Sequence, residues 1–392
     1  MENPFRYGGV ATGVYFTDRS AELAGIEADI RSGQNVVVIS PRRYGKTSLI
    51  FQALEHLRGE GVLVAYVDLF RAPTKERLAD HLADAIYNGL VAPLERVWQR
   101  AVDIFQQLPI RPRVTINPDG TPSFEFTAGE RSRDIDQTIE GILELPGHIA
   151  RERRRRVALV LDEFQEVIAV DAHLPALMRS VFQVQDEVAH VFLGSKRHLM
   201  QRVFTDENEA MYRLAKPLLL QAISAEDFAS FIRDRFAATG QKITSSAIDA
   251  ILNVTDGLPH DTQELCYFTW AIAQSEGLEV TPAVIRRALE RVVAAQDARY
   301  TTLWDQLSSH QRLLLTALVV AGGEGVYSDA YRRRLRLGPA SSVQRALRRL
   351  LERDLVDQEP RGSYRVADPF LREWIRSAAA PRPPLSRATS DS

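Results

Sequence analysis

Residues 40–47 have the sequence Ser-Pro-Arg-Arg-Tyr-Gly-Lys-Thr, which carries the groups needed to bind the phosphates of a nucleotide. Such a loop presents backbone N–H groups to an anion, a lysine to the terminal phosphates and a hydroxyl to Mg²⁺. The usual pattern opens with glycine, and Ser40 stands in that place here. We expect a small residue to be sufficient there. The residues predicted to bind the nucleotide in this segment are Ser40, Pro41, Arg42, Arg43, Tyr44, Gly45, Lys46, Thr47 and Ser48.

Two carboxylates, Asp162 and Glu163, directly follow the apolar run at residues 157–161. The first can hold Mg²⁺ through water, with the hydroxyl of Thr47 as a second ligand, and the other can polarise an attacking water as a general base. Paired acids at the end of a strand could instead only stabilise the start of the next helix. Because the lysine loop occurs in the same chain, the pair favours hydrolysis of a nucleoside triphosphate, with Lys46 and Glu163 as catalytic residues.

Polar and cationic side chains further along the chain could also contact the phosphates. Ser195 follows a fourth apolar run, residues 190–194, where its hydroxyl could sense the γ-phosphate or simply face solvent. A nearby cation could stabilise the charge that develops on the phosphates, and for each one the alternative is a solvent-facing or helix-capping role. The cations are Lys196, Arg197, Arg202 and Arg213. Ser195 joins Lys46 and Glu163 in the predicted catalytic set, and which of the four cations acts stays open at this point.

The elements that must position these residues are predicted from apolar runs. Runs of apolar, often β-branched residues without polar alternation are typical of strands buried on both faces of a parallel sheet. They occur at residues 35–40, 61–68, 157–161, 190–194 and 218–221. Helical segments alternate with them, which indicates parallel crossovers and a three-layer α/β domain. The loop at 40–47 leads into a helix expected from about Lys46 to Arg58, whose N-terminus adds partial positive charge.

The length of 392 residues predicts two or three domains. We expect an α/β fold: a three-layer P-loop NTPase core with a parallel sheet, then a helical lid domain and a winged helix-turn-helix domain. Two alternating runs around an Asn-Pro-Asp-Gly turn add a hairpin insertion to the core. The predicted boundaries are 1–221 for the core with its insertion at 109–130, 222–299 for the lid, 300–378 for the winged helix and 379–392 for a disordered tail.

Composition excludes several classes of protein. The net charge is −2, so any affinity for nucleic acid must come from a local patch. The one cysteine, Cys266, excludes a disulfide within the chain and a Cys-based zinc site. The first residues lack the basic-then-apolar order of a signal peptide, and no run approaches the roughly 18 apolar residues of a spanning helix. We therefore expect a cytoplasmic protein without a membrane partner.

The C-terminal region has a local concentration of arginine. Residues 331–353 contain eight arginines and one acid. Ser341 and Gln344 have the spacing of a capping box, so a helix is predicted to begin there. In a DNA-binding module, arginines off the apolar face of this helix would contact guanine edges or phosphates; otherwise the domain packs against the core or a protein partner. The candidate DNA contacts are Arg345, Arg348 and Arg349.

These motifs together resemble the archaeal-type ATPase family in the STAND and AAA+ branch of P-loop NTPases. The resemblance covers about residues 3–375. Its most specific parts are the lysine loop and the acid pair. Less specific matches lie at residues 3–5, 16–23, 192–200, 211–213 and 257–260, and glycine is commoner than aspartate at position 18.

The resemblance implies ATP rather than GTP as the nucleotide, and the sequence has no Asn-Lys-x-Asp guanine motif. It places the adenine between the N-terminal segment and the lid, against Val14, Phe16 and Pro259. In such proteins the nucleotide often works as a conformational switch, and hydrolysis can be slow and need a partner or oligomerisation. Arg213 is then a candidate to act on a neighbouring subunit of a homo-oligomer.

Three functions stay open at this point. The first is an ATP-hydrolysing, Mg²⁺-dependent switch whose winged helix carries or relays the output. The second is a nucleotide-dependent DNA-binding regulator with negligible hydrolysis. The third is a scaffold that uses the winged helix only for protein contacts.

Overall fold

The structure is a computed structural model, and it describes residues 2–17, 19–40, 43–91, 113–118, 122–126, 132–359 and 362–379. The described residues form two compact units. One lies within Gly9–Ile223, and the other combines Met1–Gly8 with Ser224–Ser392. The predicted division into core, lid and winged helix at residues 221 and 299 stays a prediction, since the last two segments belong to one unit by their contacts.

The strands of the Gly9–Ile223 unit are β1 (Val36–Ile39), β2 (Leu63–Asp68), β3 (Arg113–Ile116), β4 (Pro122–Glu125), β5 (Val157–Asp162), β6 (Val188–Gly194) and β7 (Lys216–Leu219). Among the described residues, the sheet at the centre of this unit has the order β2-β5-β6-β1-β7, and all its pairs are parallel. β3 and β4 form a separate antiparallel pair. The predicted α/β fold with a parallel sheet is confirmed.

Apolar side chains on both faces of the sheet explain the unbroken apolar runs. In β5, Val157, Leu159 and Leu161 pack into one core, and Ala158 and Val160 pack into the core on the opposite face. Helices cover both faces, so the strands need no polar side. These helices are Ser20–Ser32, Lys46–Gly59, Lys75–Ile86, Ser132–Arg153, Gln165–Val170, Leu174–Phe182 and Arg197–Thr205.

The last strand of the five-stranded sheet, β7, differs from its prediction. β7 begins at Lys216, before the expected run at 218–221, and most of its residues are exposed. It lies at the edge of the sheet, where it pairs with β1 alone. An apolar run does not reveal whether its strand will be central or at an edge, because both can be rich in the same residues.

The β3–β4 pair lies within the segment predicted as an insertion, and it packs on the helix Lys75–Ile86. The backbone N–H of Phe124 donates to Asp84 over 2.8 Å, and that of Phe126 donates to Asp80 over 2.6 Å. The carboxylates of Asp80 and Asp84 thus accept hydrogen bonds from backbone N–H groups at the edge of the hairpin. Residues 109–112, 119–121 and 127–130 of the predicted insertion lie outside the described residues.

Helices make up most of the second unit. The first five are Ala225–Ala237, Ser245–Thr255, Pro259–Glu276, Pro282–Ala295 and Asp297–Asp305. The N-terminal residues pack onto this helical part: the rings of Phe5 and Phe236 lie 4.9 Å apart, and the Asn3 amide donates to the Tyr267 carbonyl over 3.1 Å. The apolar and polar residues of the N-terminal motif therefore hold the start of the chain against the helices.

The C-terminal segment forms the expected winged helix. Its elements are the helices Ser309–Ala321, Asp329–Arg334, Ala340–Glu352 and Pro369–Ala379 and the strands β8 (Val356–Gln358) and β9 (Tyr364–Val366). The strands pair antiparallel. No helix in the described part of the chain is both long and apolar enough to cross a membrane. Residues 380–392 of the predicted tail lie outside the described residues.

The capping box predicted at Ser341 is wrong. The helix begins at Ala340 after an extended Pro339, which makes no side-chain capping bond. Proline lacks a backbone N–H and has a fixed φ of about −65°, and Pro339, with φ −70°, adopts the extended conformation before the helix without strain. A true capping box instead starts the helix Ser309–Ala321, where Ser308 and Gln311 bond reciprocally.

Candidate active site

The loop after β1 turns into the helix Lys46–Gly59 through residues with positive φ. Gly45, at φ 80°, is the last residue before the helix, and Arg43 has φ 72°. Glycine adopts this conformation without steric cost, which explains its place directly before the lysine. The side chain of Ser40 is completely buried, consistent with a need for a small residue. Pro41 and Arg42, two of the predicted phosphate-loop residues, lie outside the described residues.

A buried arginine outside the predicted site holds the loop in place. The Arg19 guanidinium is only 4% exposed and donates to the Tyr44 carbonyl over 3.0 Å and to the Gln221 carbonyl over 2.8 Å. It thereby ties the loop to the segment that follows β7. In the sequence, Arg19 stands out only as part of the N-terminal motif at residues 16–23. The hydroxyl of Ser48, also predicted to line the site, accepts from the Ala11 backbone over 3.0 Å.

The lysine, the threonine and the acid pair converge. The Lys46 ammonium lies 3.4 Å from Glu163 Oε1, and the Thr47 hydroxyl lies 3.5 Å from Asp162 Oδ2. These residues meet because β1 and β5 are parallel strands of one sheet, so their carboxyl ends reach the same edge. Lys46 is 7% exposed, so its charge is poorly screened by solvent.

Glu163 is surrounded by donors. Its backbone has φ 53°, a strained conformation for a non-glycine residue, of the kind often found at functional sites. Oε2 accepts from the Ser195 hydroxyl over 2.7 Å and from the Gln165 amide. Burial raises the pKa of the Glu163 carboxyl, but the Lys46 ammonium and the bonds from Gln165 and Ser195 outweigh burial and lower its pKa. The carboxylate is therefore ionised at neutral pH, as a general base requires.

Asp162 is fixed at both of its carboxylate oxygens. Oδ1 accepts from the Glu163 backbone over 2.8 Å, and Oδ2 accepts from the Tyr66 hydroxyl over 2.5 Å. Burial raises the pKa of Asp162, and the Lys46 charge and the Tyr66 bond only partly oppose that rise. Burial also raises the pKa of the Tyr66 phenol well above its usual value, so Tyr66 acts as a donor.

The donor set fits Mg²⁺. This ion prefers oxygen ligands, commonly one or two carboxylates together with substrate phosphates. The hydroxyl of Thr47 and the carboxylate of Asp162 are such ligands, and they lie within 3.5 Å of each other. Tyr66 and Gln165, which contact the two acids, are not among the predicted site residues. Tyr66 belongs to no local motif, and Gln165 lies within the acidic motif at residues 161–165 without a predicted role.

Arg213 does not join this cluster. It is exposed, and its guanidinium lies 5.1 Å from the centre of the Tyr212 ring. It precedes β7, so it lies at the amino edge of the sheet, whereas the phosphate loop lies at the carboxyl edge. The four residues of β7 alone span about 13 Å. Arg213 therefore lies at the opposite edge of the sheet from the phosphate loop.

Two of the three other candidate cations pair with neighbouring acids. Lys196 pairs with Glu166 over 3.0 Å, and Arg202 pairs with Glu209 over 2.8 Å. Arg197 is the first residue of the helix Arg197–Thr205 and is half-buried. These contacts favour structural roles for Lys196 and Arg202.

The predicted adenine contacts belong to different units. Val14 lies in the short helix Gly13–Tyr15 and is 62% exposed. Phe16 follows it and packs against the core under the phosphate-loop helix. Pro259 is the first residue of the helix Pro259–Glu276 in the second unit.

The winged helix carries the predicted basic face. Val343, Leu347 and Leu350 of the helix Ala340–Glu352 are buried. The helix turns its arginines outward, where they are exposed. These are Arg345, Arg348 and Arg349. Amphipathic spacing therefore separates an apolar face, which packs in the domain, from a basic face that solvent can reach.

A parallel sheet with a lysine loop after β1 and an acid pair at the end of β5, meeting at one edge, defines a P-loop NTPase with a C-terminal winged helix. The chain belongs to the family described as an ATPase domain predominantly from Archaea, whose model matches residues 16–265. A second model, described as a probable winged helix domain, matches residues 298–377. No curated protein sequence matches the chain.

Many solved structures are similar to this chain, and three of them share its fold as follows. The Walker-type ATPase PABY2304 of Pyrococcus abyssi has a TM-score of 0.65 and 16% identity, over 95% of this chain and 99% of that one. The Aeropyrum pernix ORC2 protein, solved as ADPNP-ADP complexes, has a TM-score of 0.57 and 16% identity, over 95% and 98%. The Aeropyrum pernix ORC1 protein in complex with DNA has a TM-score of 0.52 and 16% identity, over 97% and 98%.

Proposed function

We propose that this protein binds and hydrolyses ATP with Mg²⁺ and uses the nucleotide as a conformational switch, with output through its winged helix. The observation that carries this proposal is the meeting of Lys46 with Glu163 over 3.4 Å beside Ser195 and Asp162. A lysine for phosphate, a base for water and a carboxylate for the metal are the parts that phosphoryl transfer to water needs.

Each side chain has a defined task in this proposal. Lys46 binds the terminal phosphates, which draws its ammonium away from Glu163 Oε1. That oxygen then accepts the proton of the attacking water, while Ser195 keeps Oε2 in place. When bound through Thr47 and Asp162, Mg²⁺ supplies positive charge that offsets the charge on the phosphates.

The choice of ATP rests on the family. The adenine nucleotides in the Aeropyrum pernix ORC2 structure are consistent with that choice. Since Arg213 lies away from its own phosphates, its proposed catalytic role requires a neighbouring copy of the chain. Turnover by single chains is then slow, and assembly or a partner raises it.

The route of the output is suggested by ion pairs within the second unit. Asp256 directly precedes the Gly-Leu-Pro motif at residues 257–259, and it accepts from Arg372 over 2.5 Å and from Arg365 over 3.3 Å. Arg365 lies in β9, and Arg372 lies in the last helix. The contacts of Asp256 therefore connect the Gly-Leu-Pro motif, here called the lid motif, to the winged helix. A conformational change at the lid motif would act on the winged helix through these ion pairs.

Two substitutions test the site. Lys46→Ala should abolish binding of a fluorescent ATP analogue, whereas Glu163→Gln should bind it normally and lose about 10²- to 10⁴-fold in turnover. Lys216→Ala is the matched control, since Lys216 lies at the opposite edge of the sheet and pairs with Asp29 over 2.8 Å. Normal hydrolysis by both site variants would show that the chemistry is assigned to the wrong residues.

A DNA-binding regulator is the second candidate, because the basic face of the helix Ala340–Glu352 is exposed. ORC1, whose structure holds DNA, has the same fold. DNA affinity should then fall with salt, and replacing Arg345, Arg348 and Arg349 by alanine should weaken it and reduce the salt slope by up to about 3.

The control for this experiment removes equal charge from the exposed face of the helix Pro282–Ala295, with alanine at Arg286, Arg287 and Arg291. Absence of DNA affinity at low salt in every nucleotide state refutes the DNA-binding candidate. A pull-down that needs residues 300–378 but resists nuclease would instead support a protein scaffold, the third function that the sequence left open.

A further inference from the structure

Tyr66 lies on the face of the sheet that carries the candidate metal ligand. In the pairing of β2 with β5, Tyr66 is opposite Val160, and Asp68 is opposite Asp162. Side chains alternate along a strand, so Tyr66 and Asp162 point to the same side as Val160. That side faces the helix Lys46–Gly59, which follows the phosphate loop.

The ring and the hydroxyl of Tyr66 make separate contacts. The ring packs against Phe51, with 4.9 Å between ring centres, and Phe51 belongs to the phosphate-loop helix. The hydroxyl donates to Asp162 Oδ2 over 2.5 Å. The packing needs only an aromatic ring, and the hydrogen bond needs the hydroxyl. The two roles can therefore be separated by substitution.

We propose that Tyr66 is a positioning residue for the Mg²⁺ of the nucleotide site, acting through the carboxylate of Asp162. This inference rests on the proposed function. Asp162 is fixed at Oδ1 by the Glu163 backbone and at Oδ2 by Tyr66, so its carboxylate plane cannot rotate freely. The Thr47 hydroxyl, 3.5 Å from the same Oδ2, makes the weaker contact with it.

Groups that hydrogen-bond to a metal ligand orient it, and their loss typically costs 10- to 100-fold in metal affinity or activity. Without the hydroxyl, Asp162 keeps its backbone bond but loses the donor that sets the direction of Oδ2. Phosphate binding by Lys46 and the loop does not involve Tyr66. The effect is therefore confined to the part of nucleotide binding that depends on the metal.

The test is a Mg²⁺ titration of nucleotide binding in the full chain, with methylanthraniloyl-ATP as the fluorescent probe. For Tyr66→Phe we expect the dissociation constant in EDTA to stay within about twofold of wild type. The Mg²⁺ concentration for half-maximal tightening should rise about tenfold. Asp162→Asn should lose most of the Mg²⁺ response.

Two controls separate the hydroxyl from other effects. Tyr87→Phe removes a hydroxyl from a buried tyrosine elsewhere in the same unit and should titrate like wild type. Phe51→Leu loosens the ring packing, leaves the Tyr66 hydroxyl and should keep the wild-type Mg²⁺ requirement. Melting temperatures of all variants confirm that they are folded.

The outcomes distinguish this inference from the proposed function. A wild-type Mg²⁺ requirement for Tyr66→Phe overturns the inference, and so does an equal loss of affinity with and without Mg²⁺, or an equal shift in Phe51→Leu. If the wild-type chain binds the probe without any response to Mg²⁺, the inference fails while nucleotide binding stands. If the wild-type chain does not bind the probe at all, the proposed function fails first.

Discussion

Replacing Asp256 by asparagine tests the connection between the lid motif and the winged helix. The Asp256 carboxylate accepts from Arg372 over 2.5 Å and from Arg365 over 3.3 Å. The three side chains are between 16% and 27% exposed, so solvent screens their charges only partly. Asparagine has nearly the same shape and keeps one acceptor oxygen, but it removes the charge that both guanidinium groups share.

The size of the effect follows from these contacts. A hydrogen bond to a charged group contributes about 1.5–3 kcal/mol, and partial exposure lowers that value, so we expect a loss of about 1–2 kcal/mol. For a unit of this size, 1 kcal/mol corresponds to roughly 2–4 °C in melting temperature, so the midpoint should fall by about 2–8 °C. A double-mutant cycle of Asp256→Asn with Arg372→Met should give a coupling energy of about 1 kcal/mol.

The assay combines thermal melting with hydrogen exchange. In the wild-type chain, an ATP analogue should change exchange in β9 and the helix Pro369–Ala379. Asp256→Asn should bind the analogue with unchanged affinity and lose that change. Glu276→Gln, which breaks the exposed pair with Arg287, is the control and should leave both the midpoint and the exchange response unchanged.

Two results would refute this reasoning. A zero coupling energy in the double-mutant cycle means that the ion pair does not stabilise the unit. A full hydrogen-exchange response in Asp256→Asn means that the winged helix senses the nucleotide by another route or does not sense it.

Three further predictions concern the nucleotide site. Ser195→Ala removes one bond to Glu163 and should lower kcat roughly 5- to 100-fold with KM unchanged; a raised KM with normal kcat contradicts this role. Arg213→Ala should leave turnover unchanged in dilute, monomeric protein and lower it only where chains associate, and an equal loss at every concentration argues against action between subunits. Ser40→Val places a branched side chain in a fully buried position, so it should cost about 1–3 kcal/mol in stability and weaken binding of the ATP analogue, and wild-type behaviour in both measurements shows that size is not critical there.

Much of the fold could be predicted because one physical pattern sets it. Strands covered on both faces need apolar residues at every position, and β1, β5 and β6 are buried throughout. The meeting of Lys46 with Glu163 also follows from the sequence, since Lys46 ends the loop after one parallel strand and Glu163 directly follows another. The edge position of β7 could not be predicted in the same way. The residues of a strand do not indicate whether it has a neighbouring strand on one side or on both.

The parts of the site that were missed depend on distant contacts. Tyr66 lies 96 residues from Asp162, and Arg19 lies 202 residues from Gln221. Strand pairing and loop packing bring these groups together, and no spacing along the chain indicates them. Gln165 is close to Glu163 in sequence, but its side chain is buried beside Gly194 at the end of β6, and no local pattern indicates that contact. The position of Arg213 could also not be predicted without the sheet, because only the direction of β7 shows which edge of the sheet the arginine occupies.

The contacts of Glu163 join ATP binding to hydrolysis in the proposed function. Its Oε2 accepts from Ser195 and Gln165, so only Oε1 can serve a water, and Lys46 contacts that oxygen. The same ammonium is the group that binds the terminal phosphates. A phosphate group carries more negative charge than one carboxylate oxygen, so it draws Lys46 towards the nucleotide and exposes Oε1. In this proposal the Glu163 base therefore becomes available only when ATP is bound. The buried Lys46 thus links ATP binding to the activation of water for hydrolysis.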